Sequence, residues 1–393
     1  MTRYLVKLKP IDSFFFGSER TFIFKENNKL QNNIIKSTFF PQQTSILGML
    51  RKEILVKKGL LNHTWDYVNK EEEINKYIGR ESFNINEETQ DFGCIERISP
   101  VFIESTEING QAEYIMKIPK DHTINKEELN DKNEKVKNLS YVPLKFNEIN
   151  SFRCSYGDME ERNIYLPINF VGKDGICDDF IYINDKNEIV KKDEIFIEDS
   201  NIGIKLDKNH ITKDDSLFRI IKYKFNNKKY ERIQFVFLVD IDENVNFDNH
   251  KNVVSLGGEG SYFNIKFEKY EANSEHNNFI NQIKHKCKIE DSKSNENIYK
   301  KIVLLSDTYI DENEYEYEDL CEYSIANITS FRNLKTKREY KDKKYYKRFD
   351  KSKEKYSFLE RGSVLYTTNE KYEKLKNAIS KKNLQKIGYN IFV

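Results

Sequence analysis

Residues 231–242 read ERIQFVFLVDID, and Ile233, Phe235, Phe237 and Val239 fall on alternate positions. Alternate residues of an extended chain share one face, so this run has to lie across a core as a β-strand. The preceding run SLFRIIKYKF (216–225) is also extended, and FNNKKY separates the two. Together they predict a hairpin. The start of the chain, RYLVKLK (3–9), alternates too, with Tyr4, Val6 and Leu8 on one face and Leu5 and Lys7 on the other. The constraint on the fold is therefore β structure that is apolar on at least one side.

The helical signal follows at FFPQQTSILGMLRKEILVKKGLL, where Ile46, Leu47, Leu50, Ile54 and Leu55 recur at helical spacing. This predicts an amphipathic helix of about 14 residues, with Thr44 or Ser45 as N-cap and Gly59 as its stop. Gly48 inside it costs about 1 kcal/mol against alanine, which predicts a close packing neighbour. ISPVFIE and AEYIMKI then flank Asn109-Gly110, a strong hairpin signal, and the Lys/Asn/Glu-rich stretch 119–140 is expected as helix and loop at the surface. Strand, helix, hairpin, helix is the opening of a ferredoxin-like βαββαβ unit. Extended runs at 163–172, 194–207, 301–307 and 361–367, with helices expected at 273–300 and 370–380, predict a second strand-rich unit. The expectation is an α+β protein of two ferredoxin-like domains, 1–190 and 191–393, the second with a charged insertion near 307–355.

The net charge of +1 announces no nucleic-acid partner, so any such partner has to be read from local patches. Five cysteines (Cys94, Cys154, Cys177, Cys287, Cys321) form no C-x-x-C pair. This argues against a disulfide framework or a zinc ribbon and fits a reducing compartment. His285 and Cys287 lie close together but supply two ligands where structural zinc takes four, so no metal and no cofactor are expected. No run reaches the length of a membrane span, and a cytoplasmic protein is expected. His63, His122, His210, His250, His276 and His285 are scattered without a catalytic spacing. Asp12, just after the first strand, admits a role in metal-assisted RNA cleavage, but a turn-forming aspartate is the commoner reading.

Three of the 15 glycines crowd into LGGEG (256–260). The segment matches neither a Walker loop nor G-x-G-x-x-G. It is either a tight connection between strands or a backbone surface for phosphate, since consecutive N–H groups in glycine turns make anion-binding concavities. In the second reading Gly257, Gly258, Glu259 and Gly260 meet RNA, Ser261 adds a hydroxyl and Tyr262 a stacking face. The helix start at Gln42, Gln43, Thr44 and Ser45 offers free N–H groups and a favourable dipole to an anion, or is ordinary capping. Arg51, within two turns, is a phosphate ligand or a solvated residue. Residues 335–355 hold eleven Lys/Arg against four Asp/Glu with tyrosines between them. That pattern suits single-stranded RNA or a solvated insertion. The stretch 307–322 before it holds eight acids and no base, and is expected to fold against it.

KLKPIDSFFFGSERTF, FFPQQTSILGMLRKEIL, IGIKLD…SLFR, SLGGEGSYF, RGSVLY and a terminal GYN, in that order, resemble the RAMP-type subunit of type III-B (Cmr) CRISPR effector complexes. The type III-A (Csm) counterpart is the nearest alternative. The resemblance implies two facing ferredoxin-like domains and a glycine loop on guide RNA. It also adds Arg20 of the FFFGSERTF segment to the candidate RNA contacts. It further implies a non-catalytic subunit, not a homo-oligomer by itself, that grips the 5′ handle of the crRNA. Its partners would be the large polymerase/cyclase subunit and the adjacent backbone RAMP subunit. A RAMP endoribonuclease of the same superfold is the alternative activity, because fold does not fix function.

Overall fold

The computed structural model describes residues 1–17, 20–24, 30–61, 70–107, 110–124, 141–154, 162–169, 178–183, 189–206, 212–270, 282–283, 299–332, 334–341, 344–351 and 354–393. The first strand, Thr2–Pro10, lies inside a nine-stranded sheet. It pairs antiparallel with Tyr230–Ile241 on one side and with Tyr262–Lys269 on the other. Beyond Tyr230–Ile241 come Phe102–Glu107, Ala112–Lys117, Phe180–Tyr182 and Ile189–Val190, while Lys251–Ser255 forms the opposite edge. Strands from both sides of residue 190 therefore share one sheet.

The alternation sets this register. Tyr4, Val6 and Leu8 stand opposite Val239, Phe237 and Phe235, so the two apolar faces coincide, and a one-residue slip would move one strand's set to the opposite face. That face carries the main core, joined by Ile46, Leu47, Leu50 and Ile54 of the long helix. The opposite face is apolar as well: Leu5, Val236 and Leu238 meet Phe102, Met116, Val303 and Tyr366 in a second core. The sheet is thus covered on both sides over much of its area.

The expected hairpin between 216–225 and 231–242 does not form. Thr212–Phe225 pairs antiparallel with Phe196–Leu206 and parallel with Leu30–Lys36, in a separate four-stranded sheet completed by Arg20–Phe24. Between the two strands the chain crosses from one sheet to the other. The Asn226 N–H donates to the Ile195 carbonyl at 2.8 Å, and the Asn226 side chain accepts from the Lys228 N–H at 3.2 Å. Alternation dictates extended backbone but leaves the choice of partner to tertiary packing. The second expected hairpin does form: Phe102–Glu107 pairs with Ala112–Lys117.

The long helix runs Gln43–Lys57, and Gln42 is its N-cap rather than Thr44 or Ser45. Its end follows expectation. Gly59 has φ +66°, its N–H reaches the Val56 carbonyl, and the Leu60 N–H reaches the Leu55 carbonyl. This is a Schellman ending closed by a Leu55–Leu60 contact. Gly48 departs from expectation: it is exposed, and a Cβ there would meet nothing within 4 Å.

A third core lies within the last hundred residues, where Lys300–Val303, Val364–Thr367 and Tyr323–Ile325 form a sheet. Leu375, Ala378 and Ile379 of the helix Tyr372–Ile379 pack on it. The acidic stretch belongs to this unit, and its described ion pairs go to Arg361 and the C-terminal lysines; the side chains of the basic strands 334–341 and 344–351 lie outside the described residues. Glu322 meets Lys371, Asp319 meets Lys374, and Asp311 and Glu314 meet Lys381. The helix expected over 273–300 falls almost entirely outside the described residues.

Candidate nucleic-acid interface

The glycine loop joins Lys251–Ser255 to Tyr262–Lys269. Gly257 has φ +87°, and a Cβ there would stand 2.2 Å from the Phe15 carbonyl oxygen. What comes close at Gly257 is therefore the chain's own backbone, at the middle residue of FFF. The Gly258 N–H donates to that carbonyl at 2.8 Å. Ser261, 1% exposed, closes the arrangement: its Oγ accepts from the Phe15 N–H at 2.9 Å and donates to the Gly258 carbonyl at 2.6 Å. Ser261 is thus an internal brace, its hydroxyl engaged within the chain on both sides.

Phe15 is fixed from both flanks. Phe14 is fully buried, with its ring 5.4 Å from that of Phe235 and 5.6 Å from that of Phe225. Its backbone exchanges hydrogen bonds with Tyr223 of the four-stranded sheet. Phe16 stacks on Phe263, centroids 5.8 Å apart. The FFF run therefore ties two sheets and the glycine loop together.

The outer half of the loop is left to solvent. Gly260 has φ +69° with nothing within 4 Å of a Cβ. Glu259, exposed, holds φ 54°, and its carbonyl accepts from the Lys222 ammonium at 3.1 Å. Tyr262 is 53% exposed, and its carbonyl accepts from the Ile11 N–H.

The helix start is more enclosed. Gln43 is fully buried; its side-chain nitrogen faces the Ser99 carbonyl at 3.4 Å and crowds Gly388, where a Cβ would stand 3.0 Å from it. Gly388 and Tyr389 of the terminal GYN thus dock on PQQ, and they enclose Gln43. Gln42, Thr44 and Ser45 remain half-buried, and the Gln42 carbonyl accepts from the Ser45 N–H at 2.9 Å. Arg51 is largely enclosed, and its Nε and Nη2 have no hydrogen-bond partner among the described residues. It lies 5.5 Å from the Phe92 ring centroid and donates to the Glu81 carbonyl at 3.0 Å. Burial lowers its pKa to about 10. Arg20 opens the strand Arg20–Phe24, and its side chain lies outside the described residues.

Beside the helix start is a cleft lined by Phe39, Phe40, Gln42, Lys117, Arg361 and Tyr389, among others. Sequence reasoning placed no site residue among Lys117, Lys120 and Arg361, although Arg361 opens RGSVLY, one of the segments that carry the resemblance. The Arg361 guanidinium sits 4.2 Å from the Phe40 ring centroid and donates to the Val101 carbonyl at 2.9 Å. Lys117 and Lys120 both reach Asp178, and Lys120 also reaches Glu360. Burial pushes the Lys117 pKa down against the pull of Asp178. Each buried cation here has an anionic or aromatic partner.

Asp121 anchors the same region from within. It is fully buried, with Lys301 at 3.0 Å, the Tyr366 hydroxyl at 2.7 Å and His122 Nδ1 at 3.0 Å. Burial alone would raise its pKa, but Lys301, His122 and Tyr366 hold the carboxyl well below the usual range. His250 pairs with the buried Glu53 at 3.2 Å. His63, His210, His276 and His285 lie outside the described residues. Asp12 is exposed in the turn after the first strand. No group of three or more metal-ligating residues gathers among the described residues. No helix among them is long and apolar enough to cross a membrane.

The sequence matches the family model described as CRISPR-associated protein (Cas_Cmr3) over residues 6–393, and the chain belongs to that family. Two solved chains align with all of this chain and 96% of their own length. One comes from "Cryo-EM structure of the Type III-B Cmr-beta bound to cognate target RNA", at 16% identity and TM-score 0.47. The other comes from "Cryo-EM structure of the Type III-B Cmr-beta bound to cognate target RNA and AMPPnP, state 1", at 14% identity and TM-score 0.41. No curated protein matches the chain.

Proposed function

We propose that this Cas_Cmr3-family chain is the non-catalytic subunit of a cytoplasmic type III-B CRISPR ribonucleoprotein that grips the 5′ handle of the crRNA. It docks there on the large polymerase/cyclase subunit and on the adjacent backbone RAMP subunit, and its strand order derives from two ferredoxin-like units. The observation that carries this reading is the division of labour within SLGGEGSYF. Gly257, Gly258 and Ser261 fasten the loop to Phe15, while Glu259, Gly260 and Tyr262 stand in solvent. A loop held by its base and open at its tip is pre-organised for a ligand. Gly260 lets a phosphate chain approach without a side chain in the way, and the Tyr262 ring offers a stacking face to an unpaired base.

Gly260→Asp tests this, because the site is open and aspartate tolerates positive φ better than most residues. In the assembled complex the variant should fold as wild type and bind handle-bearing guide RNA at least fivefold more weakly, with the RNA intact. Unchanged affinity would remove the loop tip from the interface. Guide RNA cut by the wild-type protein, and not by an Asp12→Asn variant, would replace the scaffold reading with a nuclease.

A further inference from the structure

The basic block contains a second feature that the handle reading leaves unused. Leu334–Lys341 and Lys344–Lys351 pair antiparallel along their whole length, from Leu334↔Lys351 to Lys341↔Lys344, and among the described residues this ribbon joins no other sheet. Alternation sorts its residues into two faces. One face takes Leu334, Thr336, Arg338 and Tyr340 from the first strand and Tyr345, Lys347, Phe349 and Lys351 from the second. It carries three cations, three aromatics and no acid. The chain's overall charge is only +1, so this is a strong local concentration.

The register also opposes like charges directly, in Lys337↔Arg348, Arg338↔Lys347 and Lys341↔Lys344. Such pairs destabilise a ladder, and an isolated two-stranded ribbon is marginal in water. Four acids of the 307–322 stretch are held by C-terminal lysines, Asp311 and Glu314 by Lys381, Asp319 by Lys374 and Glu322 by Lys371. A bound polyanion would relieve the like-charge pairs. Aromatic positions on the same face as the cations distinguish which polyanion: bases free to stack favour single-stranded nucleic acid over a duplex or an acidic peptide.

We propose that the ribbon 334–351 is an arm for single-stranded RNA, with Arg338, Lys347 and Lys351 tracking phosphates and Tyr340, Tyr345 and Phe349 taking bases. The arm acts without regard to sequence and so engages RNA outside the handle.

The test uses the full-length chain and a labelled 20-nucleotide oligouridine, which carries no handle. One variant replaces Arg338, Lys347 and Lys351 with glutamine; another replaces Tyr340 and Tyr345 with alanine. Melting temperatures should match wild type, because among the described residues the ribbon pairs with no other sheet. The charge variant should reduce the slope of log affinity against log salt by about 2, since each phosphate that a cation neutralises on a single strand contributes about 0.7. The aromatic variant should lose about tenfold in affinity with the slope unchanged. Wild-type affinity in both variants would overturn the proposal, as would equal binding of duplex RNA or of polyglutamate. Gly260→Asp should leave oligouridine binding intact, and the ribbon variants should keep any preference for a native over a scrambled handle, so each site fails or stands alone.

Discussion

Gly257→Ala separates a glycine required by the fold from one required by a ligand. The added Cβ would stand 2.2 Å from the Phe15 carbonyl oxygen, with the Phe15 carbonyl carbon at 3.2 Å. A backbone atom cannot swing aside as a side-chain tip can, so the loop base has to lift from residue 15. The Gly258–Phe15 hydrogen bond would then break or stretch, and the Phe15–Ser261 bond with it. Positive φ costs an L-residue about 1–2 kcal/mol, and each buried hydrogen bond adds about 1 kcal/mol. The expected destabilisation is about 3–4 kcal/mol. Gly260→Ala is the matched control: its φ of +69° is similar but its surroundings are open, so it should cost only about 1–2 kcal/mol. Denaturant titration followed by tryptophan and tyrosine fluorescence gives both values, with slopes compared to confirm a shared transition. If Gly257→Ala costs no more than Gly260→Ala, the Phe15 carbonyl is not what excludes a side chain there.

Ser261→Ala should destabilise by about 1–2 kcal/mol in the same assay, since it leaves the Phe15 N–H buried without its acceptor. Asp121→Asn should cost about 3–5 kcal/mol, because Lys301 stays buried beside a neutral amide. The lowered Asp121 pKa means its contribution is complete above the unfolded value of 3.8 and disappears as pH falls below it. Wild-type stability should therefore fall more steeply than that of Asp121→Asn as pH drops below about 4, measured by denaturant midpoints at successive pH values. Arg51→Met should leave guide-RNA affinity and its salt slope unchanged while altering stability, because Arg51 is engaged with Phe92 and Glu81. A salt slope reduced by the share of a single phosphate would return Arg51 to the interface.

Much of the local structure was legible because it depends on neighbours in sequence. The alternation of Tyr4, Val6 and Leu8 and of Phe235, Phe237 and Val239 sets strands and the face they bury. Gly59 and the 3.6-residue spacing set the long helix and its end. What escaped the sequence were choices among distant partners. Strand 212–225 obeys the same alternation whether it pairs with its successor or with Leu30–Lys36, and only the assembled core decides. The site shows the same limit. The clustering of Gly257, Gly258 and Gly260 marked a close approach, but the residue approaching Gly257 is Phe15, 242 positions away by their numbers. Gln43 and Arg51 read as polar and available, yet Ser99 and Gly388 enclose the first and Phe92 the second. Burial by remote segments leaves no mark on the residues it covers.

Under the proposed function, this chain reads the constant end of the guide. That reading is tested most directly by titrating the chain, co-expressed with its large-subunit neighbour, against guide RNA with a native or a scrambled 5′ handle. RNA integrity is checked on the same samples. Handle reading requires tighter binding to the native handle, a preference reduced by Gly260→Asp or Tyr262→Ala, and uncut RNA. Equal binding to both guides would contradict it.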